Sequence, residues 1–293
     1  MVRAFSRTAR LSGFVARPVT ASADRVSRAR QSWRALRVLV HVGRGIAITT
    51  FVFPRASAAQ KRALNRAWSR HLLALLGVEP RVQGEIHEAG GNVVYLANHV
   101  SWLDIFVLDA HSPARFIAKA ELARWPLVGK LVRETGTIFV TRARKADTLR
   151  VNAIAAEALR GGDVLAVFPE GTTTDGTALL KFHGSLLQPV IDSAGHVQPI
   201  ALRYAYRDGR ASRATQYAGD TSLARSFWSI CGARDQVIEV IAHPPIAAST
   251  RTRRELAALS EAAIRASLGL PSPAQPASAT APQKFAASRD RPR

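Results

Sequence analysis

The sequence contains only one cysteine, Cys231, among its 293 residues. A single thiol cannot form a disulfide within the chain, and it cannot supply the cysteine cluster of a structural zinc site. We therefore expect a reducing compartment and no structural metal. Aromatic residues are also scarce, at 7%. The sequence has no aromatic-rich basic stripe and no recognised nucleic-acid-binding motif, so nucleic acid is not an expected partner.

Acidic residues are in the minority, with 21 Asp and Glu against 41 Lys and Arg, which gives a formal net charge of +20. A chain this basic favours anionic partners such as an anionic membrane surface or an acidic donor molecule. The G-x-S-x-G and C-x-S-x-G signatures are absent, which argues against a serine hydrolase. The hydrophobic content of 47% is typical of globular proteins. We expect one catalytic domain with extensions.

The first part of the chain is basic and then apolar. Residues 1–32 carry seven arginines and one acidic residue, which predicts a disordered basic arm, although an organelle transit peptide has a similar composition. Residues 33–53 predict an apolar helix that ends before Pro54 and could cross a bilayer by length, but its three arginines favour an interfacial position. A second, amphipathic helix is predicted at about residues 56–76. Residues 33–78 thus predict a membrane-associated helical hairpin, with a soluble hairpin over the core as the alternative.

Beyond Pro80, strands and helices alternate along the chain. Apolar runs at residues 93–97, near 115, and at 137–141, 164–168, 197–202 and 236–241 predict strands, and helices are predicted at about residues 148–159, 184–193 and 253–268. This alternation predicts an α/β domain over residues 79–268. Residues 269–293 are rich in proline and alanine, which predicts a disordered tail.

The motif NHVSWLD at residues 98–104 directly follows a predicted strand and opens a predicted helix. A turn between these elements would bring His99 and Asp104 together. A carboxylate on one imidazole nitrogen fixes the tautomer and stabilises the cation that forms when the other nitrogen takes a proton from a hydroxyl. His99 is therefore a candidate general base. A structural interpretation is also open, in which Ser101 and Asp104 form a helix capping box and His99 is a plain loop residue.

Two further segments place polar residues at strand ends. FPEGTTTDG, at residues 168–176, follows the strand at 164–168, and ligands of open α/β sheets gather outside such carboxyl ends. Glu170 would hydrogen-bond a hydroxyl or amine of an acceptor, whereas the alternative is a tight turn capped by Thr172 or Thr174. GTIFVTR, at residues 136–142, ends on Arg142, which could hold a phosphate or a carboxylate.

Together with VQPI at residues 197–200, these segments resemble the glycerolipid acyltransferase family, whose members carry NHxxxxD, G-x-x-F-I-x-R, FPEGT and a V-P block in this order. The resemblance implies a mixed central sheet flanked by helices and an O-acyltransferase that needs no cofactor and no metal. The acyl group would pass from acyl-CoA or acyl-carrier protein to the free hydroxyl of a lysolipid. The resemblance also implies that His99 is the base and Asp104 its partner. The implied substrate-binding residues are Asn98, Arg142, Glu170, Gly171 and Thr172.

The acceptor is less well defined, because Thr173 stands where phosphate-acceptor members of the family usually carry arginine. We rank 1-acyl-sn-glycerol-3-phosphate first, which would yield phosphatidic acid. The alternative is lyso-ornithine lipid, which lacks a phosphate and whose acyltransferases look similar in having FPEGTT. An alternative of another class is a non-catalytic, basic membrane-binding or nucleic-acid-binding protein. The expected location is the cytoplasmic face of a bacterial inner membrane.

Overall fold

The structure is a computed structural model that describes residues 24–88, 92–124, 128–141 and 145–271. Most of the predicted basic arm, through residue 23, lies outside the described residues. The predicted tail from residue 272 onwards and Arg142 also lie outside them.

A mixed sheet of eight strands, counted over the described residues, forms the centre of the protein. The strand order is β1-β7-β6-β2-β5-β3-β4, and β8 pairs with β6 outside this path. β6 is antiparallel to β7 and β8, and the other neighbours are parallel. The predicted mixed sheet is confirmed. The strands are β1 (Val78–Gln83), β2 (Val93–Ala97), β3 (Arg115–Lys119), β4 (Ile138–Val140), β5 (Leu165–Val167), β6 (His196–Tyr206), β7 (Gln236–Ala242) and β8 (Ile246–Ala247).

Helices cover both faces of this sheet. One apolar cluster joins one face to α1, α2, α3 and α7, and a second cluster joins the other face to α5, α6 and α8. This three-layer arrangement buries the central strands on both sides, which explains their continuous apolar sequences. The helices are α1 (Arg28–Ala47), α2 (Ala58–Leu76), α3 (Leu103–Asp109), α4 (Val128–Glu134), α5 (Lys145–Arg160), α6 (Gln188–Asp192), α7 (Leu223–Gly232) and α8 (Arg253–Ser267).

Four of these elements, β1, β8, α4 and α7, were not predicted from the sequence. β1 contains Pro80, which argues against a strand inside a sheet, but β1 is an edge strand and pairs only with β7 on the path. An edge strand tolerates proline because one side of its backbone makes no ladder hydrogen bonds. α7 is amphipathic but only ten residues long, and its pattern was overlooked in the sequence.

The first helix begins earlier than predicted, so residues 28–32 belong to α1 and not to a disordered arm. The Ser27 hydroxyl accepts a hydrogen bond from the Arg30 amide at 3.3 Å, which caps the helix. Gln31 then donates to the Trp228 carbonyl at 2.7 Å. Asp24, still further upstream, forms an ion pair with Arg210 at 2.9 Å. Contacts with residues about 200 positions away order this segment, and local composition does not reveal them.

The predicted hairpin is present, with α1 continuing through a π turn (Ile48–Val52) and a 3₁₀ turn (Phe53–Arg55) into α2. The ring of His41 stacks on Trp68, with centroids 4.6 Å apart, and joins the two helices. Gly77 ends α2 with a φ of 71°, a left-handed conformation that favours glycine. The outer surface of α1 and its π turn exposes large apolar side chains beside Arg37 and Arg44. The apolar side chains include Trp33, Leu36, Leu39, Val40 and Phe51.

Candidate active site

Two loops that carry motif residues leave the sheet side by side. β2 and β5 are parallel neighbours, with Leu96 paired to Val167. The chain leaves both strands at the same sheet edge, so residues 98–102 and 168–174 meet there. On the other side of β2 lies β6, which is parallel to it and extends beyond Ile200, the partner of Ala97. The site is thus enclosed by two loops and by the second half of β6.

Asp104 is the most completely bonded side chain of the site. One carboxylate oxygen, Oδ2, lies 2.8 Å from Nδ1 of His99 and accepts the backbone N–H groups of Val100 at 2.8 Å and Ser101 at 3.0 Å. The other oxygen, Oδ1, accepts the hydroxyl of Tyr204. The Asp104 side chain is fully buried. The carboxylate therefore bonds the backbone at the start of α3 and contacts the His99 ring at the same time. Only half of the capping box is formed, because the Ser101 N–H donates to Asp104 while the Asp104 N–H donates to the Ser101 carbonyl and not to its hydroxyl.

The geometry defines the tautomer of His99. A carboxylate of this kind accepts hydrogen bonds, so Nδ1 carries the hydrogen and Nε2 of the neutral ring carries the lone pair. The ring stacks on Phe168, with centroids 4.0 Å apart and planes 9° from parallel. About 20% of the His99 side chain is exposed to solvent. His99 is thus fixed on one edge and one face, and it is accessible to a small reacting group.

Glu170 binds the backbone around His99, a contact that the sequence did not predict. Its Oε1 accepts the His99 N–H at 2.8 Å, and its Oε2 accepts the Leu180 N–H at 2.9 Å. The residue is buried, and burial raises the pKa of its carboxyl group, while these two hydrogen bonds lower it in part. Each oxygen thus has one backbone donor, and Glu170 supports the backbone on both sides of the site. Its contact with the acceptor stays a prediction.

The rest of the 168–176 loop also supports His99. The Thr174 N–H donates to the His99 carbonyl at 2.8 Å, so both backbone polar groups of His99 are bonded by this loop. Gly171 adopts a φ of 75°, which glycine reaches without strain. Thr172 is exposed beside it. Of the predicted binding residues in this loop, Thr172 is the one with an open side chain.

Asn98 also binds backbone groups. Its side-chain amide donates to the Leu202 carbonyl at 3.0 Å, and its Oδ1 accepts the Leu202 N–H at 2.7 Å. The residue is buried. Asn98 therefore ties the motif to β6 through both polar atoms of its amide. Its role in substrate binding stays a prediction.

Sequence reasoning missed Tyr204, which contacts Asp104 from β6. The alternation of side chains along a strand places Tyr204 on the same face as Leu202 and Ile200. The pairing of β6 with β2, which brings this face to the motif, cannot be read from one sequence. Phe168 was part of a quoted motif, but its stacking on His99 was not predicted either.

Comparison with known proteins identifies the family. The family model described as Acyltransferase matches residues 79–203. A lyso-ornithine lipid O-acyltransferase from Pseudomonas aeruginosa is 35% identical over 257 residues, which cover 85% of this chain and 98% of that protein. The chain belongs to the glycerolipid acyltransferase family. A second relative in this family, a 1-acyl-sn-glycerol-3-phosphate acyltransferase from Neisseria meningitidis, is 37% identical over 58% of this chain and 67% of that protein.

The fold agrees with this membership. The crystal structure of the 1-acyl-sn-glycerophosphate acyltransferase PlsC from Thermotoga maritima superimposes with a TM-score of 0.59, covering 82% of this chain and 96% of that chain at 18% identity. As a glycerolipid acyltransferase, the protein is an O-acyltransferase with a lysolipid acceptor and an acyl donor. The alternative of a non-catalytic basic binding protein is therefore set aside.

Proposed function

We propose that His99 and Asp104 catalyse transfer of a fatty acyl group from a thioester donor to the free hydroxyl of a lysolipid. The observation that carries this proposal is the 2.8 Å contact between Nδ1 of His99 and Oδ2 of the buried Asp104. This contact directs the basic Nε2 away from the carboxylate. Among the described residues, no side chain or backbone group hydrogen-bonds Nε2, so this atom can receive a proton from an acceptor hydroxyl.

His99 and Asp104 are sufficient to move the proton that the reaction requires. Nε2 of His99 takes the proton of the acceptor hydroxyl while the oxygen attacks the thioester carbonyl carbon. Asp104 stabilises the imidazolium that forms. The carbon–sulfur bond then breaks, and the departing thiolate takes the proton from His99. The products are an ester and a free thiol, and the histidine returns to its neutral form. Positioned base catalysis of this kind accelerates reactions roughly a hundred- to ten-thousand-fold.

For the donor we propose acyl-CoA or acyl-carrier protein. Both are strongly acidic thioesters, and the formal net charge of +20 would attract them. Arg142, which lies outside the described residues, stays a predicted binding residue for an anionic group of the donor or acceptor.

For the acceptor we propose lyso-ornithine lipid first and 1-acyl-sn-glycerol-3-phosphate second, which reverses the order expected from the sequence. Two observations favour this order. The relative that matches over 98% of its own length is named a lyso-ornithine lipid O-acyltransferase. Thr173 stands in the position that would otherwise supply an arginine for a phosphate. The second candidate is supported by the Neisseria meningitidis relative, which is 37% identical but over a shorter region.

A panel of acceptors tests this choice. Purified protein in detergent would be given radiolabelled acyl-CoA or labelled acyl-carrier protein with lyso-ornithine lipid, lysophosphatidate or lysophosphatidylethanolamine. We expect kcat/KM to be highest for lyso-ornithine lipid. A matched Thr173→Arg variant should raise the rate with lysophosphatidate relative to lyso-ornithine lipid. A wild-type preference for lysophosphatidate with either donor would contradict the proposed order.

We also propose that the hairpin binds the membrane surface and does not cross it. The segment Arg28–Arg55 is the one helix among the described residues that is long and apolar enough to span a membrane. One side of it, however, is bonded to the catalytic domain, where Arg34 donates to the Ala233 carbonyl at 2.7 Å. The opposite side exposes apolar residues between the arginines Arg37 and Arg44, an arrangement that suits the lipid interface.

The proposed location is the cytoplasmic face of a bacterial inner membrane. It is motivated by the basic charge, which suits an anionic leaflet, and by the lone buried Cys231, which suits a reducing compartment. The test is a fusion, after residue 271, to a reporter enzyme that is active only on the outer side of that membrane. Reporter activity in this fusion would overturn the proposed location.

A further inference from the structure

Tyr204 approaches the site from a strand that carries no part of the NHVSWLD or FPEGT motifs. Its hydroxyl donates to Oδ1 of Asp104, and both residues are buried. They are 100 positions apart in sequence and are brought together because β6 runs beside β2. The Tyr204 ring also packs in the apolar cluster that joins the sheet to the hairpin, and Asp104 also accepts the backbone N–H groups of Val100 and Ser101. This packing involves the ring of Tyr204 and does not account for the bond between its hydroxyl and Asp104.

We infer that Tyr204 is a positioning residue for acyl transfer, holding one carboxylate oxygen of Asp104 so that the other is aimed at His99. This inference rests on the proposed function, because it assigns Tyr204 to the same reaction. The inference assigns Tyr204 a role that it exerts through Asp104, without contact with the reacting atoms.

The distribution of donors around Asp104 supports this role. Oδ2 has three partners, namely His99 and the backbone N–H groups of Val100 and Ser101. Oδ1 has one hydrogen-bond partner among the described residues, the Tyr204 hydroxyl. In a buried position, an oxygen that loses its only donor is poorly stabilised. Removing the Tyr204 hydroxyl would therefore leave Oδ1 of Asp104 without a hydrogen-bond donor and make the carboxylate more basic.

The charges around the pair are consistent with a donor at this position. Burial, and then the negative charge of Asp104, raises the pKa of Tyr204 well above its ordinary value, so the hydroxyl keeps its proton over the working pH range. A hydrogen bond with the Ser101 side chain lowers the pKa of Tyr204 in part. The other titratable groups near Tyr204 and Asp104 are His99, which contacts Asp104, and Glu170, which comes from the loop after β5. Its two oxygens are bonded to backbone N–H groups, so Glu170 cannot replace Tyr204 as a donor.

The test is the pH dependence of kcat/KM for Tyr204→Phe. The Tyr204 hydrogen bond stabilises the Asp104 carboxylate most when the His99–Asp104 pair has lost its shared proton. Its removal therefore raises the proton affinity of the pair and moves the acidic limb of the profile to higher pH. We expect a shift of about one pH unit, equivalent to roughly a tenfold change in proton affinity. At pH values on that limb, kcat/KM should fall about tenfold, with little change in the acceptor KM.

Tyr95 provides a matched control. It is a fully buried tyrosine on the neighbouring strand β2, and its hydroxyl bonds Ser112 at 2.8 Å and the His87 carbonyl, away from Asp104. Tyr95→Phe should lower stability about as much as Tyr204→Phe does, but it should leave the acidic limb in place. If the limb moves equally in both variants, Tyr204 has only a structural role and the inference is wrong.

A second readout does not depend on turnover. The NMR signal of the His99 ring can be followed in a pH titration, with the signal assigned by its loss in His99→Ala, and Tyr204→Phe should move the transition of this signal in the same direction as the acidic limb. If wild type shows no acyl transfer but this titration moves, the positioning role holds and the proposed function fails. If transfer occurs but neither profile moves, the proposed function holds and the inference fails. Should Tyr204→Phe not fold, 3-fluorotyrosine at position 204 keeps the packing, and as a stronger donor it should move both profiles to lower pH.

Discussion

Replacing Glu170 by glutamine separates two roles for this residue, a contact with the acceptor and support of His99. In the structure its two oxygens accept the backbone N–H groups of His99 at 2.8 Å and Leu180 at 2.9 Å. Glutamine keeps the shape but offers one oxygen and one NH₂ group. One backbone N–H would then face the NH₂ group and lose its partner in a buried position.

The size of the effect follows from these contacts. Leaving a buried donor unpaired costs about 1–3 kcal/mol. Part of this loss is offset above the raised pKa of Glu170, because the neutral amide avoids the cost of burying the ionised carboxylate. A net loss of about 1–2 kcal/mol would lower Tm by roughly 2–8 °C for a domain of this size. The matched control is Glu157→Gln on the exposed side of α5, which should leave Tm unchanged.

The kinetic signature of Glu170→Gln is equally specific. Loss of the bond to the His99 N–H displaces the imidazole, and a misplacement of about 1 Å can cost roughly a hundredfold in rate. We therefore expect kcat to fall about 10- to 100-fold while the acceptor KM stays within about twofold. Steady-state acyl transfer over a range of lysolipid concentrations measures both parameters. An unchanged Tm and kcat together with a large rise in KM would refute the positioning role and restore the acceptor contact.

Two further predictions concern stability and membrane binding. Burial raises the pKa of Asp109 to about 7 from 3.8, so this residue favours folding most at low pH, and its contribution is lost as pH rises through about 7. The free energy of unfolding of wild type, measured with denaturant, should therefore fall by about 2–3 kcal/mol between about pH 5 and pH 8. Asp109→Asn should flatten this slope because an amide does not titrate, and the Asn65 amide, which donates to Asp109, can turn to accept from the new side chain. An equal slope in both proteins would contradict the assignment. Leu39→Glu on the exposed face of α1 should reduce flotation with anionic vesicles several-fold, whereas Leu149→Glu on α5 should not. Equal flotation of both variants would argue against the hairpin as the membrane-binding surface.

Local sequence patterns predicted much of the fold. The strands β2, β5 and β7 follow from short apolar runs, and the end of α2 follows from Gly77. These features depend on neighbours within a few residues, where periodicity and turn chemistry act. The start of α1 was misplaced because its anchors, such as the ion pair between Asp24 and Arg210, join distant parts of the chain.

In the active site, too, contacts between neighbours in the sequence were predictable and contacts between distant residues were not. The meeting of His99 and Asp104 was predictable, because five residues and one turn separate them. The roles of Asn98 and Glu170 were not, because a sequence gives a residue's chemistry but not the backbone groups that it meets. Asn98 meets β6 at Leu202, 104 positions away, and Glu170 meets His99 across two parallel strands. Two polar residues of the motifs thus bond backbone groups that the sequence alone does not identify.

The central claim is that His99 is the base that activates the lysolipid hydroxyl. The most direct measurement compares transfer of a radiolabelled acyl group to lyso-ornithine lipid and to lysophosphatidate by wild type and by His99→Ala, with both proteins matched in amount and thermal stability. We predict robust transfer to at least one acceptor by wild type and a loss of at least about a hundredfold in the variant. Wild-type rates in a folded His99→Ala protein would contradict the mechanism.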